Sequence, residues 1–115
     1  MDSHISALPL PALRRVLNRI EQSFRSDLSL TSLAAESGYS RGHFVKMFRK
    51  ATGVTPHHYV LRRRVEHARF LLKEKEPGVR LIDVAALCGF SSQAHMTQVF
   101  RQFVGVTPGD YRRQQ

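Results

Sequence analysis

The chain repeats itself, and the repeat limits what it can fold into. Residues 30–40 (LTSLAAESGYS) return 51 positions later as residues 81–91 (LIDVAALCGFS). Residues 43–59 (HFVKMFRKATGVTPHHY) return 52 positions later as residues 95–111 (HMTQVFRQFVGVTPGDY). At 115 residues the chain is one domain's worth, or two very small lobes sharing a core. In each copy a short apolar segment with an Ala pair runs to Gly38 or Gly89, and a second segment runs to Gly53 or Gly105. Glycine is suited to ending helices because it tolerates positive φ. The change of offset places one extra residue in the second copy, between a Ser91 cap and His95.

The remaining segments also read as helix, giving an all-α chain of seven helices. Residues 1–8 are expected to form a flexible leader. Pro9 and Pro11 then suit a helix entrance, where their missing N–H groups are not needed. Leu13, Val16, Leu17, Ile20 and Phe24 form its apolar stripe. Ser29 caps a helix from Leu30 to about Ser37, and Ser40 caps another to about Thr52. Thr55-Pro56 opens the longest helix, to about Lys75, with a buried stripe of Tyr59, Leu61, Val65, Ala68, Leu71 and Leu72. Pro77-Gly78 ends it. Then follow Leu81 to Leu87, which has no side-chain cap, Ser92 to Val104, and a short helix from Thr107-Pro108 through Tyr111. The domain organisation is a first subdomain over residues 9–54, a linker helix over 55–76 and a second subdomain over 77–115.

Short helix, glycine turn, second helix is the outline of a helix-turn-helix. On a helical wheel of residues 40–52, Phe44, Met47, Phe48 and Ala51 share one side. Gly42, Val45, Lys46, Arg49 and Lys50 share the other, with Arg41 and His43 at the borders. In the second copy Met96, Val99, Phe100 and Phe103 face inward; Ala94, Thr97, Gln98, Arg101 and Gln102 face out, with Gln93 and His95 near the start. A face of short and donor side chains suits entry into a major groove about 12 Å wide. The Ala pairs, Ala34-Ala35 and Ala85-Ala86, are expected to let the paired helices approach closely. Twenty residues of linker helix would make a rod of about 30 Å, near the groove repeat of about 34–36 Å.

The charge fits this reading. A formal net charge of +9 points to a polyanionic partner, and no apolar run approaches the roughly 20 residues needed to span a bilayer. The N-terminus does not resemble a signal peptide, because Asp2 precedes any cation and prolines interrupt the apolar stretch. The single Cys88 excludes an intrachain disulfide and fits a reducing cytoplasm; it reads as a small buried filler. No metal or cofactor is expected, since the adjacent pair His57-His58 diverges by about 100° on a helix and cannot chelate as an i, i+4 pair would. No nucleophile motif, phosphate loop or carboxylate pair points to an enzyme. An all-helical adaptor for another protein and a nonspecific architectural DNA binder are the competing readings.

These segments, DLSLTSLAAESGYSRGHFVKMFRKATGVTPHHYVLRRR and VAALCGFSSQAHMTQVFRQFVGVTPGDYRR, resemble the DNA-binding domain of the AraC/XylS family of bacterial transcription regulators. The second carries a GFxSQ-type turn and an FRxxxGVTPxxYR-type ending, and the resemblance covers residues 10–113. It implies two homeodomain-like helix-turn-helix units joined by a long helix, inserting two recognition helices into successive major grooves of double-stranded DNA. It implies sequence-specific binding as a monomeric unit, contact with RNA polymerase, and a cytoplasmic, nucleoid-associated protein. Many members carry an effector-binding or dimerisation domain, so a short stand-alone member and a C-terminal domain are both open.

Carried onto this sequence, the base-reading candidates are Arg41, Gly42, Val45 and Lys46 in the first unit and Gln93, Ala94, His95 and Gln98 in the second. Lys46 can donate to guanine, Gln93 or Gln98 can pair with adenine, and Val45 can touch a thymine methyl. Gly42, Val45 and Ala94 depart from polar family versions; Gly42 suits close approach of backbone instead. The phosphate candidates are Ser40, Ser92, Thr55 and Thr107 at helix starts, with Arg49, Lys50, Arg62, Arg101 and Arg112.

Overall fold

Side chains that accept a hydrogen bond from the first helical turn mark most of the helix starts. The computed structural model describes residues 5–74 and 78–115. Among them are α1 (Leu10–Ser23), α2 (Leu30–Ser37), α3 (Arg41–Thr52), α4 (Pro56–Leu72), α5 (Leu81–Leu87), α6 (Gln93–Val104) and α7 (Pro108–Arg113), with no strand. The hydroxyl of Ser29 accepts from the Ser32 N–H at 3.1 Å, Thr55 from His58 at 3.2 Å and Thr107 from Asp110 at 3.1 Å. Ser40 and Ser92 do the same for His43 and His95, at 3.4 and 3.0 Å. Each bond satisfies one of the N–H groups that a helix start leaves open. The start of α5 has no such cap. There Arg80 pairs with Asp83 at 2.8 Å, an ion pair that holds the guanidinium pKa above its ordinary value, and Asp83 lies at the positive end of the helix.

Ser92 caps α6, so the 52-residue offset already holds at Ser40 and Ser92. The extra residue is therefore Ser91, and it lies in the turn before α6 rather than between a cap and His95. Ser91 is no cap: its Oγ sits 3.1 Å from His95 Nδ1. The recognition-type helices α3 and α6 consequently run in the same register, and the difference between the copies is one residue of turn.

Gly38 and Gly89 take φ of +83° and +88° in the two turns. The residue after each must find a partner for its N–H, and the copies solve this differently. In the first, the buried Ser37 hydroxyl donates to Ala34 O at 2.6 Å and accepts from the Tyr39 N–H at 3.1 Å. Cys88 occupies the matching place in the second, and the Phe90 N–H reaches back to Ala85 O at 3.0 Å. A Cβ added at Gly38 would meet nothing within 4 Å, so Gly38→Ala is charged only the backbone strain of positive φ. A loss of about 1 kcal/mol is expected in urea denaturation; an unchanged midpoint would show that this backbone strain is not felt.

The chain divides into two units, Met1–Val60 and Leu61–Gln115. In the first, Val16 and Ile20 of α1 pack with Leu33 and Ala34 of α2 and with Phe44, Met47 and Phe48 of α3. In the second, Val65, Ala68 and Leu72 of α4 pack with Val84, Ala85 and Cys88 and with Met96, Val99 and Phe100 of α6. So α4 supplies to the second unit the layer that α1 supplies to the first, while its early residue Val60 belongs to the first core.

The shared GVTPxxY motif has a packing cause. Its threonine caps the next helix, its proline is fully buried, and its tyrosine meets a core phenylalanine edge-on. Phe48–Tyr59 centroids lie 5.8 Å apart at 87°, and Phe100–Tyr111 lie 5.4 Å apart at 70°.

Four expectations need correction. The leader is not flexible throughout: Leu8 is buried and its N–H donates to Met47 O at 3.1 Å, while Ile5 packs on the same core. Residues 1–4 lie outside the described residues. The long helix stops at Leu72, where its apolar stripe runs out into exposed Lys73 and Glu74, whose N–H groups turn back to Phe70 O and Leu71 O. Its expected end at Lys75 and the Pro77 stop are likewise undescribed. Seventeen residues make a rod of about 25 Å, short of the DNA groove repeat. Of each Ala pair only the first member, Ala34 or Ala85, is buried, and Ala35 and Ala86 face solvent. In the α4 stripe Tyr59, Leu61 and Leu71 are only partly covered, while Pro56 and Val60 are buried.

Candidate nucleic-acid interface

Helix α3 separates its residues cleanly. Phe44, Met47 and Phe48 are buried, and this fixes which side faces out. Arg41, Gly42, His43, Lys46, Arg49 and Lys50 are exposed, and Val45 is half-buried at the edge of the same face. His43 lies edge-on to Tyr39, 5.5 Å between centroids, and so continues the turn. Val45, Lys46, Arg49 and Lys50 line one open depression with Gly53, Thr55 and Ile5. Two of the four sequence-predicted base readers of this unit, Val45 and Lys46, thus share that depression with three phosphate candidates, while Arg41 and Gly42 are exposed at the start of the helix. Ile5 was missed, because an apolar residue in a leader gives no sequence signal for such a place.

Helix α6 presents the matching face. Gln93, Ala94, Thr97, Gln98, Arg101 and Gln102 line a single open depression over buried Met96, Val99 and Phe100. His95 is outside that lining. Its ring is half-buried, edge-on to Phe90 at 5.6 Å, and its Nδ1 faces the Ser91 hydroxyl. Those contacts hold the turn. In the register shared with α3, Thr97 rather than His95 is the counterpart of Val45. Its hydroxyl donates to Gln93 O at 3.0 Å, leaving its lone pairs as acceptors. The 52-residue offset was the signal that could have found it.

The copies differ at most of their outward positions, and inward they exchange one apolar side chain for another, Phe44 for Met96 and Met47 for Val99. Between α3 and α6, Arg41 gives way to Gln93, Gly42 to Ala94, Val45 to Thr97 and Lys46 to Gln98, whereas the phenylalanine and the following arginine are kept. The folding requirement keeps the inward face apolar, while the outer face changes in charge and polarity.

The phosphate candidates differ in their surroundings. Helices α3, α4 and α6 have no acid in the first turn, so Ser40, Thr55 and Ser92 mark N-termini with undiminished positive potential. Helix α7 does have one: Asp110, paired with Arg113, sits in the first turn above Thr107 and opposes an incoming anion. Arg49, Lys50, Arg62 and Arg101 are exposed. Arg112 is half-buried, and its Nε and Nη2 are shielded from solvent with no hydrogen-bond partner among the described residues. Those two atoms are withdrawn from contact with a DNA backbone.

The helix-turn-helix domain family matches residues 33–114. The fold is also that of a regulator from Chromobacterium violaceum described as an AraC-type DNA-binding domain protein, with a TM-score of 0.79 and 29% identity over 90% of this chain and 91% of that one. The chain belongs to the AraC-type helix-turn-helix family. Among its AraC-type relatives is the DNA-binding domain of the global transcriptional factor AdpA, crystallised with a target DNA, at TM-score 0.82 and 29% identity over 90% of this chain and 91% of that one. The probable transcriptional regulator LumQ of Photobacterium leiognathi is 38% identical over 95 residues, 83% of this chain and 38% of that protein. The chain therefore spans well under half the length of that curated relative.

Proposed function

We propose that this protein binds double-stranded DNA sequence-specifically and regulates transcription, with α3 and α6 as recognition helices in successive major grooves and α4 as the link between them. The observation that carries the reading is the pair of exposed faces on α3 and α6, alike in register and unlike in chemistry, in an AraC-type domain. Arg41, Gly42, Val45 and Lys46 read one segment of the site, and Gln93, Ala94, Thr97 and Gln98 read the other. Ser40, Arg49, Lys50, Thr55, Arg62, Ser92 and Arg101 hold phosphates, with Thr107 and the remaining part of Arg112 as weaker contributors. Because the two heads differ, the site is asymmetric and one copy of the domain fills it.

The reading extends to the setting. The protein acts by binding rather than catalysis, in the bacterial cytoplasm at the nucleoid, and RNA polymerase is its partner at promoters. A linked effector or dimerisation domain, which the family resemblance implies for many members, is proposed as this chain's regulatory counterpart. Among the described residues no helix is long and apolar enough to cross a membrane.

Binding to a selected duplex in the presence of excess random DNA tests the function directly. An adaptor would bind neither DNA, and an architectural protein would show no preference. Lys46→Ala and Gln98→Ala are each expected to lose about 1–3 kcal/mol on the selected site and to relax preference at one base step. Equal losses on selected and random DNA would reassign either residue to the backbone.

A further inference from the structure

Residues 5–8 do more than enter α1. Leu8 is 3% exposed, within the first core, and its N–H is bonded to Met47 O in the middle of α3. This pins the segment along the reading helix. Three residues earlier, Ile5 packs on that core and also borders the depression that holds Val45, Lys46 and Thr55. Among the described residues the second unit shows no separate strap of this kind, and the position 52 residues after Leu8 is Val60, inside α4.

We propose that Ile5 is a specificity-determining residue of the first reading head, held in place by Leu8. Its apolar side chain walls one side of the space in which Lys46 works. Lys46 is a flexible cation with four rotatable stem bonds, and a wall restricts the directions from which it approaches a base edge. The same wall offers an apolar surface continuous with Val45, of the kind that contacts thymine methyl groups. The inference rests on the proposed role of α3 as a base reader, and the test below separates the two.

The experiment compares the full chain with Ile5→Ser, Ile5→Val and Leu8→Ala on the selected duplex, on a panel with each base pair of the first unit's segment replaced, and on random DNA. Thermal melting is recorded for every variant, with binding measured well below each midpoint. Ile5→Ser is expected to weaken the selected duplex about tenfold, the scale of one mismatched base pair, with random DNA affected less than about twofold. Preference should relax at the steps read by Val45 and Lys46, Ile5→Val should restore it, and Leu8→Ala should reproduce the relaxation by releasing the strap. An unchanged base-pair preference in Ile5→Ser, or equal losses on selected and random DNA, overturns the proposal. Lys46→Ala run alongside identifies which idea has failed. If Lys46→Ala relaxes preference and Ile5→Ser does not, only the wall is wrong; if neither does, Lys46 is no base reader and the premise of the wall fails with it.

Discussion

Phe100→Ala is expected to cost the second unit about 3–5 kcal/mol, and Phe48→Ala the same in the first. Both rings are fully buried, each in the centre of its unit's core. Truncation removes the transfer energy of the ring and leaves a cavity that the surrounding helices cannot close without moving. It also removes the edge-on contact to Tyr111 or Tyr59, worth about 0.5–1.5 kcal/mol beyond area. A whole small domain holds only about 5–15 kcal/mol of stability, so a unit built from a few helices has little to spare. Denaturation followed by circular dichroism should show an early loss of helix in either variant. The exposed control Gln98→Ala should stay within about 0.5 kcal/mol of the parent. Parent-like stability in Phe100→Ala would mean that the inward and outward faces of α6 have been exchanged.

Raising salt from about 50 to 200 mM should weaken binding to DNA by roughly a thousandfold. Arg49, Lys50, Arg62 and Arg101 are exposed cations, and the capped N-termini of α3, α4 and α6 carry no acid in the first turn. With about six phosphates neutralised, log K should fall with log salt at a slope near −5, because each contact releases condensed counterion. Arg49→Ala and Arg101→Ala should each make that slope shallower by about 1, on selected and random duplexes alike. A parent slope shallower than about −2 would contradict the clamp and leave the net charge of +9 as a solubility feature.

Most of the local structure was legible because its signals are local. Ser29, Ser40, Thr55, Ser92 and Thr107 are followed by helices whose first-turn N–H groups they accept. Gly38, Gly53 and Gly105 sit where the chain needs positive φ. The faces of α3 and α6 followed from three- and four-residue spacing alone. The misreadings have a different origin. Residues 1–8 read as a flexible leader, yet Leu8 finds a core and a carbonyl that no neighbour in sequence announces. His95 is a reader by the family resemblance carried over position by position, whereas in the structure its ring packs edge-on to Phe90.

Order along the chain was enough to determine seven helices, two copies of one motif and the side of each recognition helix that must be buried, because caps, turns and periodicity act over a few residues. Contacts between residues far apart decided the rest: that α4 plays in the second unit the part of α1 in the first, and that Ile5 lies beside Lys46. Such pairings depend on which apolar surfaces meet in three dimensions. The hydrophobic effect rewards buried area without regard to separation in sequence, so the chain's order alone does not specify them.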